Sequence, residues 1–169
     1  NNILLSPCAI RTQSEGGAYL HNLIAGFVQM WAEPNRFTPY FLPHSTDVAA
    51  LTTILSGDDR YYNNIFIGKG AKEPKDAGTK PGLEIYDNAK LPVFITDNIY
   101  YFGAKPSVKD INALTDAGFN PEINLDEKEE SVFLHFDVSQ LYYSQKVKII
   151  NTDILGRTRI PKARFDNPD

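Results

Sequence analysis

A single cysteine, Cys8, means that no disulfide can close within this chain, which removes the usual framework of small secreted modules. Neither Cys8 nor the three histidines fall at a spacing that suits zinc, so no metal or cofactor is expected. No apolar run approaches the roughly 20 residues of a membrane-spanning helix, and the first residues lack the charged-then-apolar order of a signal peptide. Positive charge is also scarce. Lys and Arg together number 17 against 21 Asp and Glu, a net charge of −4, so there is no cationic footprint for nucleic acid or an anionic membrane, and neither is expected as a partner. At 169 residues the chain is long enough for one core of its own.

What the sequence does contain is a repeat. Asparagine followed by apolar residues and then a small residue occurs at Asn2-Ile3-Leu4-Leu5-Ser6, Asn22-Leu23-Ile24-Ala25-Gly26, Asn64-Ile65-Phe66-Ile67-Gly68 and Asn98-Ile99-Tyr100-Tyr101-Phe102-Gly103, at steps of 20, 42 and 34 residues. Steps of this size belong to stacked repeats. An asparagine entering each strand can bond its equivalent in the next coil, as in the side-chain ladders of stacked sheets. The pattern therefore predicts an all-β chain, a parallel β-helix forming part of a solenoid. Asparagine also favours ordinary turns before strands, so an irregular sandwich stays open as the alternative; the small residue closing every copy favours the helix.

Residues 1–103 are read as β-helix coils with an inserted loop at 31–47, and 104–169 as a strand-rich C-terminal cap. The insertion carries three prolines, which favour an extended loop over a helix. Residues 48–55 are expected to return to the solenoid, 83–86 to form a short strand, and 107–118 a short helix with Ser107 as cap and Gly118 at its end. Further strands are expected at 132–136, 147–150 and 157–160, with a turn or short helical bridge at 137–140. Solenoid ends need capping, and nothing precedes the first copy, so the chain is expected to be a piece of a longer protein. Earlier coils of that protein, or another subunit, would then pair with the strand at 2–6.

Several residues can carry chemistry. Glu15 is the leading acid, because Gly16-Gly17 removes side-chain bulk and lets a large substrate approach beside its carboxyl group; a solvated turn glutamate is the alternative. Asp58-Asp59-Arg60 offers two carboxylates and a cation, for sugar binding or for a structural ion pair. His44-Ser45-Thr46-Asp47 has the residue types of a hydrolytic triad, but neighbours in one loop rarely meet in that geometry and no G-x-S-x-G surrounds the serine. His44 is left as a donor to a hydroxyl-rich ligand, and His21 as a structural histidine. Trp31, Phe37, Tyr40 and Phe41 can present a flat face to a sugar ring or pack the loop onto the solenoid.

Three segments together resemble one family. Ser14-Glu15-Gly16-Gly17-Ala18, the loop Pro34-Asn35-Arg36-Phe37-Thr38-Pro39-Tyr40 with Pro43-His44-Ser45-Thr46, and Gly57-Asp58-Asp59-Arg60-Tyr61-Tyr62-Asn63-Asn64 look like bacterial right-handed β-helix glycosidases. They are most similar to the β-xylosidases of glycoside hydrolase family 120. The resemblance implies a retaining hydrolase of short β-linked xylose oligosaccharides, with Glu15 at the acid/base position and the Asp nucleophile in a coil before Asn1. Substrate-binding roles then fall to His44, Arg36, Asp58, Arg60, Trp31 and Tyr40, and Asp59 is read as the ion-pair partner of Arg60. A bacterial origin is implied, with cytoplasm or periplasm both open. A non-catalytic carbohydrate-binding or structural β-helix is the alternative. A polysaccharide lyase comes third, and would need a base and a charge-neutralising cation.

Overall fold

Asn22, Asn64 and Asn98 each follow a residue with left-handed backbone, namely His21 (φ 53°), Asn63 (φ 55°) and Asp97 (φ 58°). Histidine, asparagine and aspartate tolerate that region better than β-branched residues do, and the chain bends there from one sheet into the next. The computed structural model describes residues 1–41, 45–68, 79–146 and 150–155. In chain order its elements are β1 (Ile3–Leu4), β2 (Cys8–Thr12), β3 (Ala18–Leu20), β4 (Leu23–Ala25), β5 (Phe27–Met30), β6 (Glu33–Phe41), β7 (Val48–Ile54), β8 (Arg60–Tyr62), β9 (Ile65–Ile67) and β10 (Thr79–Pro81). A 3-10 helix (Glu84–Asn88), β11 (Phe94–Thr96), β12 (Ile99–Tyr101), β13 (Asp110–Ile111), β14 (Leu114–Asp116), β15 (Asn124–Lys128), β16 (Ser131–His135), α1 (Gln140–Ser144) and α2 (Thr152–Leu155) follow.

The strands stack as a parallel β-helix. One parallel sheet runs β1-β4-β9-β12-β14 and a second runs β3-β8-β11-β13, while β2 and β5 pair in parallel in a third, with β10 antiparallel on β5. Register follows the sequence repeat: Leu23 pairs with Ile3 and Ile65, and Ile65 with Ile99. The middle residues of successive strands, Ile24, Phe66 and Tyr100, point inward and are fully buried. The rings of Phe66 and Tyr100 stack at 5.2 Å, as do those of Tyr19 and Tyr61 at 4.4 Å. Burying such a ring contributes about 1.5–3 kcal/mol.

Between the second and first sheets, the four asparagines form a continuous ladder. Asn22 Oδ1 accepts from Asn2 N (2.9 Å) and Nδ2 (3.0 Å), Asn64 Oδ1 from Asn22 N (3.0 Å) and Nδ2 (2.9 Å), and Asn98 Oδ1 from Asn64 N (3.0 Å) and Nδ2 (2.9 Å). At the next corner the small closing residue is required. A Cβ on Gly26 would lie 2.1 Å from the Ser6 carbonyl oxygen of the preceding coil.

Three sequence expectations give way. The extended 31–47 segment and residues 48–55 are not a loop followed by a coil: β6 and β7 pair antiparallel as an arm, with Phe37 opposite Thr53 and Tyr40 opposite Ala50. The β-branched run of β7 finds an edge in β6 instead of in the solenoid, and the prolines of β6 are accommodated because it is paired on one side only. Residues 83–86 open a 3-10 helix, which places Leu83 and Tyr86, three apart, together in the core. Residues 107–118 form β13 and β14, parallel to β11 and β12, in place of a helix. The hairpin β15–β16 and the residues before it then cover the outer face of the first sheet, where Phe119, Ile123 and Leu134 pack on Leu23, Ile67, Ile99 and Tyr101. The strand expected at 132–136 is β16, and the expected bridge leads into α1. Residues 147–149 and 157–160 lie outside the described residues.

Candidate functional site

The 42-residue step that aligns Asn22 with Asn64 also aligns the segment before β3 with the segment before β8. Glu15 forms a parallel bridge with Gly57. Its Oε1 accepts a hydrogen bond from Leu55 N at 2.7 Å, at the foot of the β6–β7 arm, and the side chain is half-buried. Gly16 turns the chain with φ 80°. Gly17 N then donates to Asp59 Oδ1 at 2.7 Å, and a Cβ at position 17 would lie 2.8 Å from that same oxygen and 2.8 Å from the Tyr19 ring. The Gly-Gly pair therefore serves the fit of this turn onto the next coil as well as access to Glu15.

Asp59 is fully buried. Tyr86 OH donates to its Oδ2 at 2.8 Å, and the Tyr86 and Tyr61 hydroxyls share a hydrogen bond of 3.0 Å. Burial pushes the Asp59 carboxyl up to about 6; the hydrogen bonds from Tyr86 and Gly17 oppose that shift, the Asp58 charge adds to it and Arg60 opposes it. Tyr61 and Tyr86 are raised well above the ordinary phenol value, again chiefly by burial. A second pair, Tyr100 fully buried and Asp110 half-buried, lies further along the coil. Tyr100 OH donates to Asp110 Oδ2 at 2.5 Å, Asn98 Nδ2 reaches the same oxygen at 3.2 Å, and burial raises Asp110 to about 6.

The expected substrate-binding residues fall into different settings. Asp58, not Asp59, is the ion-pair partner of Arg60, at 2.9 Å, and both side chains are buried. Left-handed backbone at Asp58 (φ 56°) turns its carboxyl toward Arg60 and leaves Asp59 to point into the coil. Arg60 also donates to the Asp58 carbonyl and, through Nε, to Leu155 O at 3.0 Å, with its guanidinium 4.7 Å from the centre of the Phe94 ring. Trp31 is half-buried under Arg11, whose guanidinium stands 5.0 Å from its ring centre. On the arm, Arg36 is exposed and Tyr40 half-buried. His44 lies outside the described residues.

Glu15 and Asp58 thus share the corner where the arm leaves the coil, while Arg36 and Tyr40 stand out along the arm. A cavity of about 520 Å³ opens elsewhere, along the asparagine ladder, between His21, Asn63 and Asp97 on one side and Phe136 and Tyr142 on the other. Sequence reasoning missed the place of Asp59. The signal was present: adding the Asn22-to-Asn64 step to Gly17 lands on position 59, and adding it to Tyr19 lands on its stacking partner Tyr61.

Neither a protein-family model nor a curated protein sequence matches the chain. Among solved structures, the complex of XylC with xylose matches it with a TM-score of 0.81 at 33% sequence identity, covering 94% of this chain. The chain spans 28% of the length of that protein. Over nearly all of its own length, then, it is similar to one part of a larger protein that was solved with a xylose bound.

Proposed function

We propose that the chain forms part of a retaining glycoside hydrolase acting on short β-linked xylose oligosaccharides, with Glu15 as the acid/base. The observation that carries this reading is the setting of Glu15: a carboxyl group at a coil corner, beside two glycines and under a projecting arm, in a chain similar to XylC, which was solved with xylose. A retaining mechanism uses two carboxyl groups about 5–5.5 Å apart. Glu15 donates a proton to the leaving oxygen and then takes one from the attacking water, while the nucleophile, an aspartate, comes from a preceding coil of the same protein or from another subunit. Leu55 N–H fixes one oxygen of Glu15 and so orients the carboxyl group. Arg36 and Tyr40 reach sugar hydroxyls and rings from the arm. The buried Asp58–Arg60 pair and Trp31 under Arg11 hold the wall of the site rigid.

Replacing Glu15 with glutamine in the complete polypeptide that carries both carboxylates keeps the size and removes the transferable proton. Hydrolysis of xylobiose is expected to fall by about 10²–10⁴-fold. An aryl xyloside with an activated leaving group should lose less, and azide should restore its turnover by replacing the water that Glu15 activates. Wild-type hydrolysis of xylobiose by Glu15→Gln overturns the assignment.

A second reading, a sugar-binding β-helix without catalysis, is favoured by one observation: Phe37 and Phe41 are 42% and 46% exposed on the arm. Xylo-oligosaccharide binding that survives Glu15→Gln, in a complete polypeptide with no hydrolytic activity, would support it.

A further inference from the structure

We propose that Asp59 is a positioning residue for Glu15: from inside the coil its carboxyl group grips the Glu15-Gly16-Gly17 turn through Gly17 N–H and couples its own charge to the orientation of the Glu15 carboxyl. For its functional weight the proposal rests on the acid/base reading of Glu15.

The coupling runs through contacts of hydrogen-bond length. Asp59 is anchored on one side by Tyr86 OH (2.8 Å), itself bonded to Tyr61 OH (3.0 Å), and on the other it holds Gly17 N (2.7 Å). Gly16 alone separates Gly17 from Glu15, whose Oε1 meets Leu55 N (2.7 Å). Neither glycine has a side chain with which to pin the turn, and Gly16 already uses left-handed backbone, so the grip of Asp59 is a side-chain constraint added to the backbone contacts of the turn, the Glu15–Gly57 bridge and the bond from Arg60 N to Gly17 O at 2.8 Å. A carboxylate accepts a shorter and stronger hydrogen bond than a neutral carboxyl group. Gain of a proton by Asp59 therefore loosens the turn, and loss of it tightens the turn.

The groups facing Asp59 make it the member that titrates. Tyr86 on the 3-10 helix, Tyr61 on β8 and Tyr19 on β3 are all raised by burial and stay neutral, and Arg60 is paired with Asp58. Burial brings Asp59 to about 6.

Two backbone amides report the two ends of the coupling, Gly17 for Asp59 and Leu55 for Glu15. In the ¹⁵N-labelled 169-residue chain titrated from about pH 4.5 to 8, both amide signals are expected to move with a shared midpoint near that of Asp59. Asp59→Asn is nearly isosteric: its Oδ1 still accepts from Gly17, its Nδ2 donates to the Tyr86 oxygen, and it cannot titrate. In that variant both signals should lose the shared step. A Leu55 signal with no component at the Gly17 midpoint, or one whose component at that midpoint survives in Asp59→Asn, overturns the coupling. This outcome is independent of hydrolysis, so it stands or falls separately from the Glu15→Gln experiment. If that experiment fails while the two amides titrate together, Asp59 still positions Glu15 but the carboxyl group it positions is not the acid/base.

Discussion

Asn64→Ala should be among the most destabilising single substitutions in the chain, and the hydrogen bonds show why. Asn64 is 1% exposed. Its Oδ1 accepts from Asn22 N and Asn22 Nδ2, and its Nδ2 donates to Tyr19 O and Asn98 Oδ1. Truncation to alanine removes four bonds at once and strands partners in three other residues away from water. At roughly 1 kcal/mol for each bond lost, and more for any group left wholly unsatisfied, the expected loss is about 4 kcal/mol. Asn2→Ala is the internal control. Its side chain makes one ladder bond, to Asn22 Oδ1, which keeps the bond from Asn2 N, so the loss should be about 1 kcal/mol. Urea unfolding of both variants at one pH measures the difference. If Asn64→Ala and Asn2→Ala shift the midpoint equally, the ladder is not a cooperative support of the coil, and the account given of it fails.

The raised carboxyl of Asp59 makes a statement about pH. Its folded value of about 6 lies above its ordinary 3.8, so the folded chain binds the extra proton; that stabilisation is complete below about pH 4 and is lost as the pH rises through 6, by about 3 kcal/mol. Asp110, raised to about 6, acts in the same direction. Urea midpoints of wild type and Asp59→Asn measured from pH 4 to 7.5 should therefore diverge in favour of the variant as the pH rises, and a pH-independent difference would refute this. Gly26→Ala drives a methyl group to 2.1 Å from the Ser6 carbonyl oxygen and should cost about 3 kcal/mol or more in a thermal melt, whereas Gly118→Ala, with no atom within 4 Å of the added carbon, should leave the melt almost unchanged.

The parts of this fold that were legible in the sequence are those where one position repeats a single physical task. Asn22 and Asn64 each bond the asparagine on either side, and the glycines that close their copies, Gly26 and Gly68, have no room for a side chain, so the coils could be recognised and aligned before any coordinate. What escaped depends on backbone dihedrals. Nothing in Asp58-Asp59 tells which carboxylate faces Arg60 until the left-handed turn at Asp58 is known. Leu83-Glu84-Ile85-Tyr86 alternates like a strand, and only the inward placement of both Leu83 and Tyr86 decides for the 3-10 turn. In 107–118 the helical spacing of Val108, Ile111 and Leu114 was coincidental: Val108 and Ile111 are 85% and 67% exposed, and the pairing of β13 and β14 with the previous coil sets the backbone. The β6–β7 arm went unread because its strands pair with each other rather than with the repeat. At the site, Glu15 was singled out by its glycine neighbours, while Asp59 was hidden in a charged triplet read as a sugar-binding group or a structural ion pair.

The unequal ladder steps have a consequence for how such a chain can change over time. The 42-residue step exceeds the 20-residue one by 22, and Glu33–Ile54, the whole arm from the first residue of β6 to the last of β7, is 22 residues long. The arm is therefore a self-contained cassette, spliced between β5 and β8 at a point where the coil resumes without loss of phase. A scaffold that keeps time at one corner can exchange what it displays at another, lengthening, shortening or replacing a recognition element while every rung below it stays in register.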